Sequence, residues 1–267
     1  MQFVHQYFIA RHYIVAAFAL LLAGCDSSGN TPLVGSASPL PGAATSPSYE
    51  LVTETRPEDV DRYFALVKAA YDACVVVAQS RHLPIEPFVS VPDNFVLERH
   101  TYISDGKSFY KKIARSNINS ELMQPETQCK ARIESSADTQ IIYGGFTYDV
   151  ATGGEGKQTL AAPRKFDPEL YHWRKDISNY NIKKVFNGIT LACLTDADLA
   201  AQLGEGQEMC IFIAANGNHP STAQRKPIFG HTRILLADGS AGAILTEPVS
   251  AKIGGAIDPA KFAIPKY

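Results

Sequence analysis

The chain has 267 residues, 45% of them hydrophobic and 19% charged, a balance that suits a soluble folded domain and is too polar for a bundle of membrane-spanning helices. Its 25 basic and 27 acidic side chains leave a net charge of −2, so no strong field argues for nucleic acid or an anionic membrane surface as a partner. With the N-terminus set aside, roughly 200 residues remain, the size of one domain.

In chain order, residues 1–13 carry Arg11 as a fixed positive charge beside His5 and His12, and Ile14 to Ala23 then form an uncharged apolar run. A helix needs about 20 apolar residues to cross a bilayer, so this shorter run reads as the hydrophobic part of an export signal. It ends in Leu22-Ala23-Gly24-Cys25, with Asp26 next.

Those four residues resemble the lipobox of bacterial lipoproteins, and the resemblance covers only the N-terminal 25 residues. It implies cleavage before Cys25, acylation of its thiol and attachment of the mature chain to a membrane; two or more acyl chains hold a protein there firmly. Asp26 resembles the signal that keeps some lipoproteins in the inner membrane, which leans the expectation that way, with the outer membrane as the alternative. From Asp26 to Ser48 the chain is rich in Ser, Pro, Gly and Ala and has no aromatic residue, so it lacks the apolar surface to offset ordering entropy. The expected plan is a signal peptide over 1–24, a lipidated Cys and disordered tether over 25–49, and one globular, periplasm-facing domain over 50–267.

Within that domain, Pro57 opens a segment with Glu58, Asp59 and Asp61 in its first turn, and Val60, Phe64, Val67, Tyr71, Cys74, Val75 and Ala78 recur at three- and four-residue spacing. The spacing predicts an amphipathic helix with Pro57 at its first position. Beyond Pro84 short β-rich runs alternate with turn residues: FVSV, NFVLERHTYI, CKARIES, TQIIYGGFTYDV, ITLACL, MCIFIAA, TRILLA and AGAILTEPVSAKI. SFYKKIARSNI is read as a second helix and TDADLAAQLG as a short third one stopped by Gly204. The expected class is α+β, with the N-terminal helix packed on a mostly antiparallel sheet.

Besides Cys25 the chain holds Cys74, Cys129, Cys193 and Cys210, an even number in a compartment that permits disulfides. Of the three connectivities, Cys193 with Cys210 is favoured because their runs read as neighbouring strands; Cys74 with Cys129 then ties helix to sheet. A buried free thiol at Cys74 is the alternative.

Ser240 lacks the glycine two positions before it that a nucleophile elbow needs, and Asp238-Gly239 reads better as a hairpin turn. His219 and His231 have no carboxylate spaced to complete a metal site, and His82, His100 and His172 are isolated. Gly156-Lys157 is followed by Gln158, not Ser or Thr, so it reads as a hairpin tip and not a phosphate loop. No catalytic residue, metal or cofactor is assigned.

The remaining candidate is FDPELYHWRKDISNYNIKKVF, which gathers Phe166, Tyr171, Trp173, Tyr180 and Phe186 among charges. Trp, Tyr and Arg dominate binding hot spots, so Tyr171, Trp173, Arg174 and Tyr180 form the candidate partner surface, with core or rim packing as the commoner alternative. Arg164, Lys165, Arg174, Lys175, Lys183 and Lys184 offer a basic face to an acidic partner or simply a solvated one. The expected function is a non-enzymatic envelope lipoprotein that binds another protein, as a toxin-neutralising immunity factor or a subunit of an envelope assembly. The resemblance to lipoprotein immunity factors is architectural. A binder of a small molecule or glycan is the alternative, and an envelope hydrolase a weaker third.

Overall fold

The computed structural model describes residues 46–119, 127–167, 177–202, 206–236 and 242–265. The expected signal, Cys25 and nearly all of the expected tether lie outside them. The described chain is dominated by one 12-stranded sheet in which every strand pairing is antiparallel, with few helices.

The strands are β1 (Tyr49–Pro57), β2 (Glu98–Ser104), β3 (Phe109–Asn119), β4 (Arg132–Tyr143), β5 (Phe146–Thr152), β6 (Gln158–Leu160), β7 (Arg164–Lys165), β8 (Ile182–Phe186), β9 (Ile189–Cys193), β10 (Glu208–Phe212), β11 (Phe229–Leu235) and β12 (Ala243–Ile253). Their order across the sheet is β6-β5-β4-β3-β2-β1-β12-β11-β10-β9-β8, with β7 also on β5. From β1 the chain passes through a helix to β2 and then runs outward to β5, each strand antiparallel to the one before, and it returns so that its last strand pairs with its first over the full length of β1.

Several expectations change at this level. Residues 109–119 form a strand, not the second helix, because they pair along their whole length with β4 and, over 109–115, with β2 on the other side. Cross-strand pairing decides such a segment over local helix propensity. Pro57 is the last residue of β1, paired with Ile244, so it does not open the helix. The helix, α1 (Val60–Ser80), instead starts at Asp59, whose carboxylate accepts from the Arg62 backbone N–H at 2.9 Å. Residues 88–91 form no strand; Phe88, Val89 and Val91 pack against α1 from an irregular loop. β1 itself, unread in the sequence, starts at Tyr49, whose side chain is fully buried.

The helix stripe behaves as its spacing requires. Phe64, Tyr71, Cys74 and Ala78 are buried against Phe95, Leu97, Ile118, Cys129 and Ala131, while Val60, Val67 and Val75 cover the margin. Cys74 and Cys129 are joined, tying α1 to the segment that enters β4. The short α2 (Asp196–Gln202) is where the sequence places it: the Thr195 hydroxyl accepts from the Asp198 N–H at 3.1 Å, and Leu199 packs on Leu194 and Met209.

The sheet is curled. Tyr49, Leu51, Phe109 and Ile142, from β1, β3 and β4, share one buried cluster with Leu191, Cys193, Cys210 and Phe212 from β9 and β10, strands well removed in the sheet order. Cys193 and Cys210 face each other on β9 and β10 and form the second disulfide. The close approach leaves no room at Gly230, where an added Cβ would sit 2.7 Å from a methyl of the buried Leu191. The loop between β10 and β11 crosses over β1, whose Tyr49 hydroxyl donates to the Ser221 carbonyl. On the opposite face, Phe262 in a C-terminal 3-10 turn (Pro259–Phe262) seals Ile103 and Ile141.

Candidate functional site

Alternation along β1–β5 puts every second side chain on the curled face, and register sorts them into rows across the strands. Tyr49, Ser104, Phe109, Ile142 and Thr147 form the first row. Leu51, Tyr102, Lys111, Gln140 and Asp149 form the second, and Thr53, His100, Ile113, Asp138 and Ala151 the third. Thr55, Glu98, Arg115 and Ser136 form the fourth. The face thus passes from packed core to charge within three rows.

The charges are matched in place. Glu98 accepts from Arg115 Nε at 3.0 Å and holds His100 Nε2 at 2.7 Å, while His100 Nδ1 lies 3.0 Å from the Tyr102 hydroxyl. Arg115 also binds Asp138. Asp149 accepts from Gln140 Nε2 at 3.1 Å and from Arg164. Burial alone would raise the Glu98 carboxyl, but the hydrogen bonds and charges of His100 and Arg115 outweigh it and hold the group below its ordinary range. Burial, with the Glu98 charge nearby, pushes the Tyr102 phenol up to about 12.

Against this floor lies an open cup of about 170 Å³, lined by Lys111, Ile113, Asp138, Thr139, Gln140 and Asp149. Its two carboxylates are engaged by Arg115 and Arg164. Lys111 has no hydrogen-bond or ion-pair partner among the described residues. Burial and the nearby charges of Arg115 and Lys226 hold its ammonium below the usual lysine range, against the opposing pull of Glu98 and Asp138.

A second charged group sits on β8, β10 and β11. His231 is buried, stacked on Phe186 with ring centroids 3.9 Å apart, and its Nε2 lies 2.7 Å from Glu208, which Lys184 also reaches at 3.3 Å. Burial alone would raise the Glu208 carboxyl, but its hydrogen bonds with His231 and Lys184 and the nearby charge outweigh burial and lower it. His231 Nδ1 has no partner among the described residues. Among those residues no group of three His, Cys, Asp or Glu side chains is placed to hold a metal ion.

Tyr171, Trp173 and Arg174 lie outside the described residues, as do Ser240 and Lys175. Tyr180 packs on Leu194, Leu199 and Met209, and burial pushes its phenol up to about 12. Phe166 and Phe186 pack on the main core cluster. Of the basic residues nearby, Arg164 and Lys184 are held by Asp149 and Glu208, whereas Val185 on the outer side of β8 is largely exposed. Gly156 and Lys157 belong to the turn between β5 and β6, closed by the Gly153 N–H on the Lys157 carbonyl.

Sequence reading did not find Glu98, Lys111, Arg115, Asp138 or Asp149. In the sequence they are ordinary charges spread over some fifty positions, and only the β2–β5 register assembles them. A strand reading of 109–119 places Lys111, Ile113 and Arg115 on one face, an arrangement that a helix reading of that segment conceals.

No described helix is long and apolar enough to cross a membrane. Comparison with protein-family models, with curated proteins and with solved structures finds no match to this chain.

Proposed function

We propose that this chain is an exported, lipid-anchored envelope protein whose periplasmic domain binds another protein and carries out no catalysis. Leu22-Ala23-Gly24-Cys25 with Asp26 supports the anchor, with the inner membrane favoured, and the Ser/Pro/Gly/Ala-rich stretch after it supports a tethered domain. The disulfides fit a compartment outside the cytoplasm. We class the domain as α+β, with α1 laid against β1 and the ends of β3 and β4.

The observation that carries the non-enzymatic reading is the pairing of charge on the curled face. Glu98, Asp138 and Asp149 are each engaged by an arginine, and Glu208 by Lys184 and His231. Carboxylates held this way are poor proton acceptors and serve as scaffold. A protein partner then meets the domain on its outer surfaces, for which Tyr171, Trp173, Arg174 and Tyr180 remain the candidate contacts, in the manner of an immunity factor or an assembly subunit.

The test has two parts. Metabolic labelling with a palmitate analogue is expected to mark the parent and to leave Cys25→Ser unlabelled and released from membranes; equal label on both overturns the anchor. Crosslinking in intact cells is expected to trap one protein with the parent in constant ratio, and Trp173→Ala to reduce the yield. Repeated recovery of the chain alone overturns the protein-binding reading.

A further inference from the structure

The cup on β3–β5 differs from the rest of the curled face in one respect. The other charges on or against this face meet opposite ones: Glu98 and Asp138 with Arg115, and Asp149 with Arg164. Lys111 stands in the second row with Tyr102 on one side and Gln140 on the other, and neither supplies a negative charge. Gln140 points its amide nitrogen at Asp149. The cup therefore keeps one cation whose charge no described side chain contacts, beside an apolar wall at Ile113.

We propose that this cup is a binding site for the carboxylate of a small organic acid, which pairs with Lys111 while its short hydrocarbon part lies on Ile113. The inference is independent of the protein-partner reading. Three features set the ligand class. The volume, about 170 Å³, is below that of drug-sized sites, so the ligand is small. The group without a hydrogen-bond or ion-pair partner among the described residues is an ammonium, and an ammonium to carboxylate contact is a charge-assisted hydrogen bond that gains strength away from bulk water. Asp138 and Asp149 line the same cup, so a dianion such as phosphate meets two carboxylates at its edge, whereas a monocarboxylate brings one charge and an apolar tail that Ile113 can cover.

The surroundings fit this assignment. Burial, the Arg115 charge and, least, that of Lys226 on the loop between β10 and β11 disfavour the Lys111 ammonium, and they prevail over Glu98 and Asp138, which favour it. A bound carboxylate relieves that repulsion. Asp138 and Asp149 are already fixed by their arginines and by Gln140, so the walls need no rearrangement to admit the ligand.

The full chain in detergent micelles, at constant ionic strength, tests the site by ligand-dependent thermal unfolding. Butyrate is the probe, with butyramide as its neutral counterpart and inorganic phosphate as the competing anion. Butyrate is expected to raise the unfolding midpoint saturably, as a ligand specific for the folded state must, while the other two leave it unchanged. In Lys111→Met the apparent affinity is expected to fall by about ten-fold or more, the loss of one charge-assisted contact. Lys111→Gln, which keeps polarity without charge, is expected to lose the response equally, and serves where the Met variant does not fold. An equal response to butyramide or to phosphate, no response of the parent to butyrate, or an undiminished response in a folded Lys111 variant overturns the proposal.

Discussion

Along β1–β4 a single sheet face changes its means of cohesion within three rows, a step of about 7 Å per row. At one end Tyr49, Phe109 and Ile142 interlock with Leu191, Cys210 and Phe212 across the curl, all of them nearly inaccessible to water. At the other, Thr55, Glu98 and Arg115 stand on the same strands, the two charges about a third exposed and joined by a hydrogen bond. The strands are continuous, so backbone geometry does not explain the difference. What differs is cover: β9 and β10 close over the first end and leave the second open. The covered end is where the fold draws its stability, and the open end, with the cup beside it, is where a ligand has room.

The sharpest way to break that contrast is to hollow the covered end. Phe109→Ala removes a ring that is 5% exposed, and large-to-small changes of this kind cost about 3–5 kcal/mol. Against a total of roughly 5–15 kcal/mol for a folded domain, urea denaturation of the full chain under oxidising conditions is expected to show most of its margin gone. A loss below about 1 kcal/mol would mean that the curl contributes little and that the two ends are alike.

Next in size is the bond that clips the cover in place. Cys193 and Cys210 are 17 positions apart, and opening a loop of that length costs about 3 kcal/mol in the chain-entropy account. The double change Cys193→Ala, Cys210→Ala is therefore expected to lower stability by about that amount while leaving a parent-like far-ultraviolet spectrum. Reduction of the parent reaches both disulfides, and the 55-position span of Cys74–Cys129 makes the total loss greater than for the double variant.

The same two ends differ in how much of them is written locally. α1 and α2 were legible because a helix is fixed by neighbours three and four positions away, and Phe64, Tyr71, Cys74 and Ala78 announce their shared face without any tertiary partner. The run TQIIYGGFTYDV, read as one β-rich stretch, divides into β4 and β5 at Gly144 and Gly145, which both take positive φ as a two-residue turn requires. The pairing of Cys193 with Cys210 followed from reading their runs as adjacent strands. β1 and β3 were not legible. β1 stands between β2 and β12, a partner nearly two hundred residues away, and β3 carries Lys111, Lys112 and Arg115, which mask its alternation. Lys111 becomes distinctive only once register shows that no carboxylate stands opposite it.

The smallest expected effect sharpens the comparison at the open end. Glu98→Gln keeps size and polarity but removes the charge that Arg115 and His100 contact, with Tyr102, Asp138 and Lys111 as the other titratable neighbours on that face. Glu98 is about a third exposed, so solvent screening limits the loss to about 1 kcal/mol near neutral pH. The sign of its pH dependence follows from the lowered carboxyl. A group held below its ordinary value of 4.5 contributes fully above that pH, and the contribution disappears as pH falls through the folded value. Parent and variant should thus differ at neutral pH and converge in acid, whereas the deficit of Phe109→Ala should persist through the same range. Denaturant titrations of all three proteins from neutral to acid pH read this directly. A Glu98→Gln deficit that stays constant into acid would assign Glu98 a packing role and erase the electrostatic distinction between the two ends.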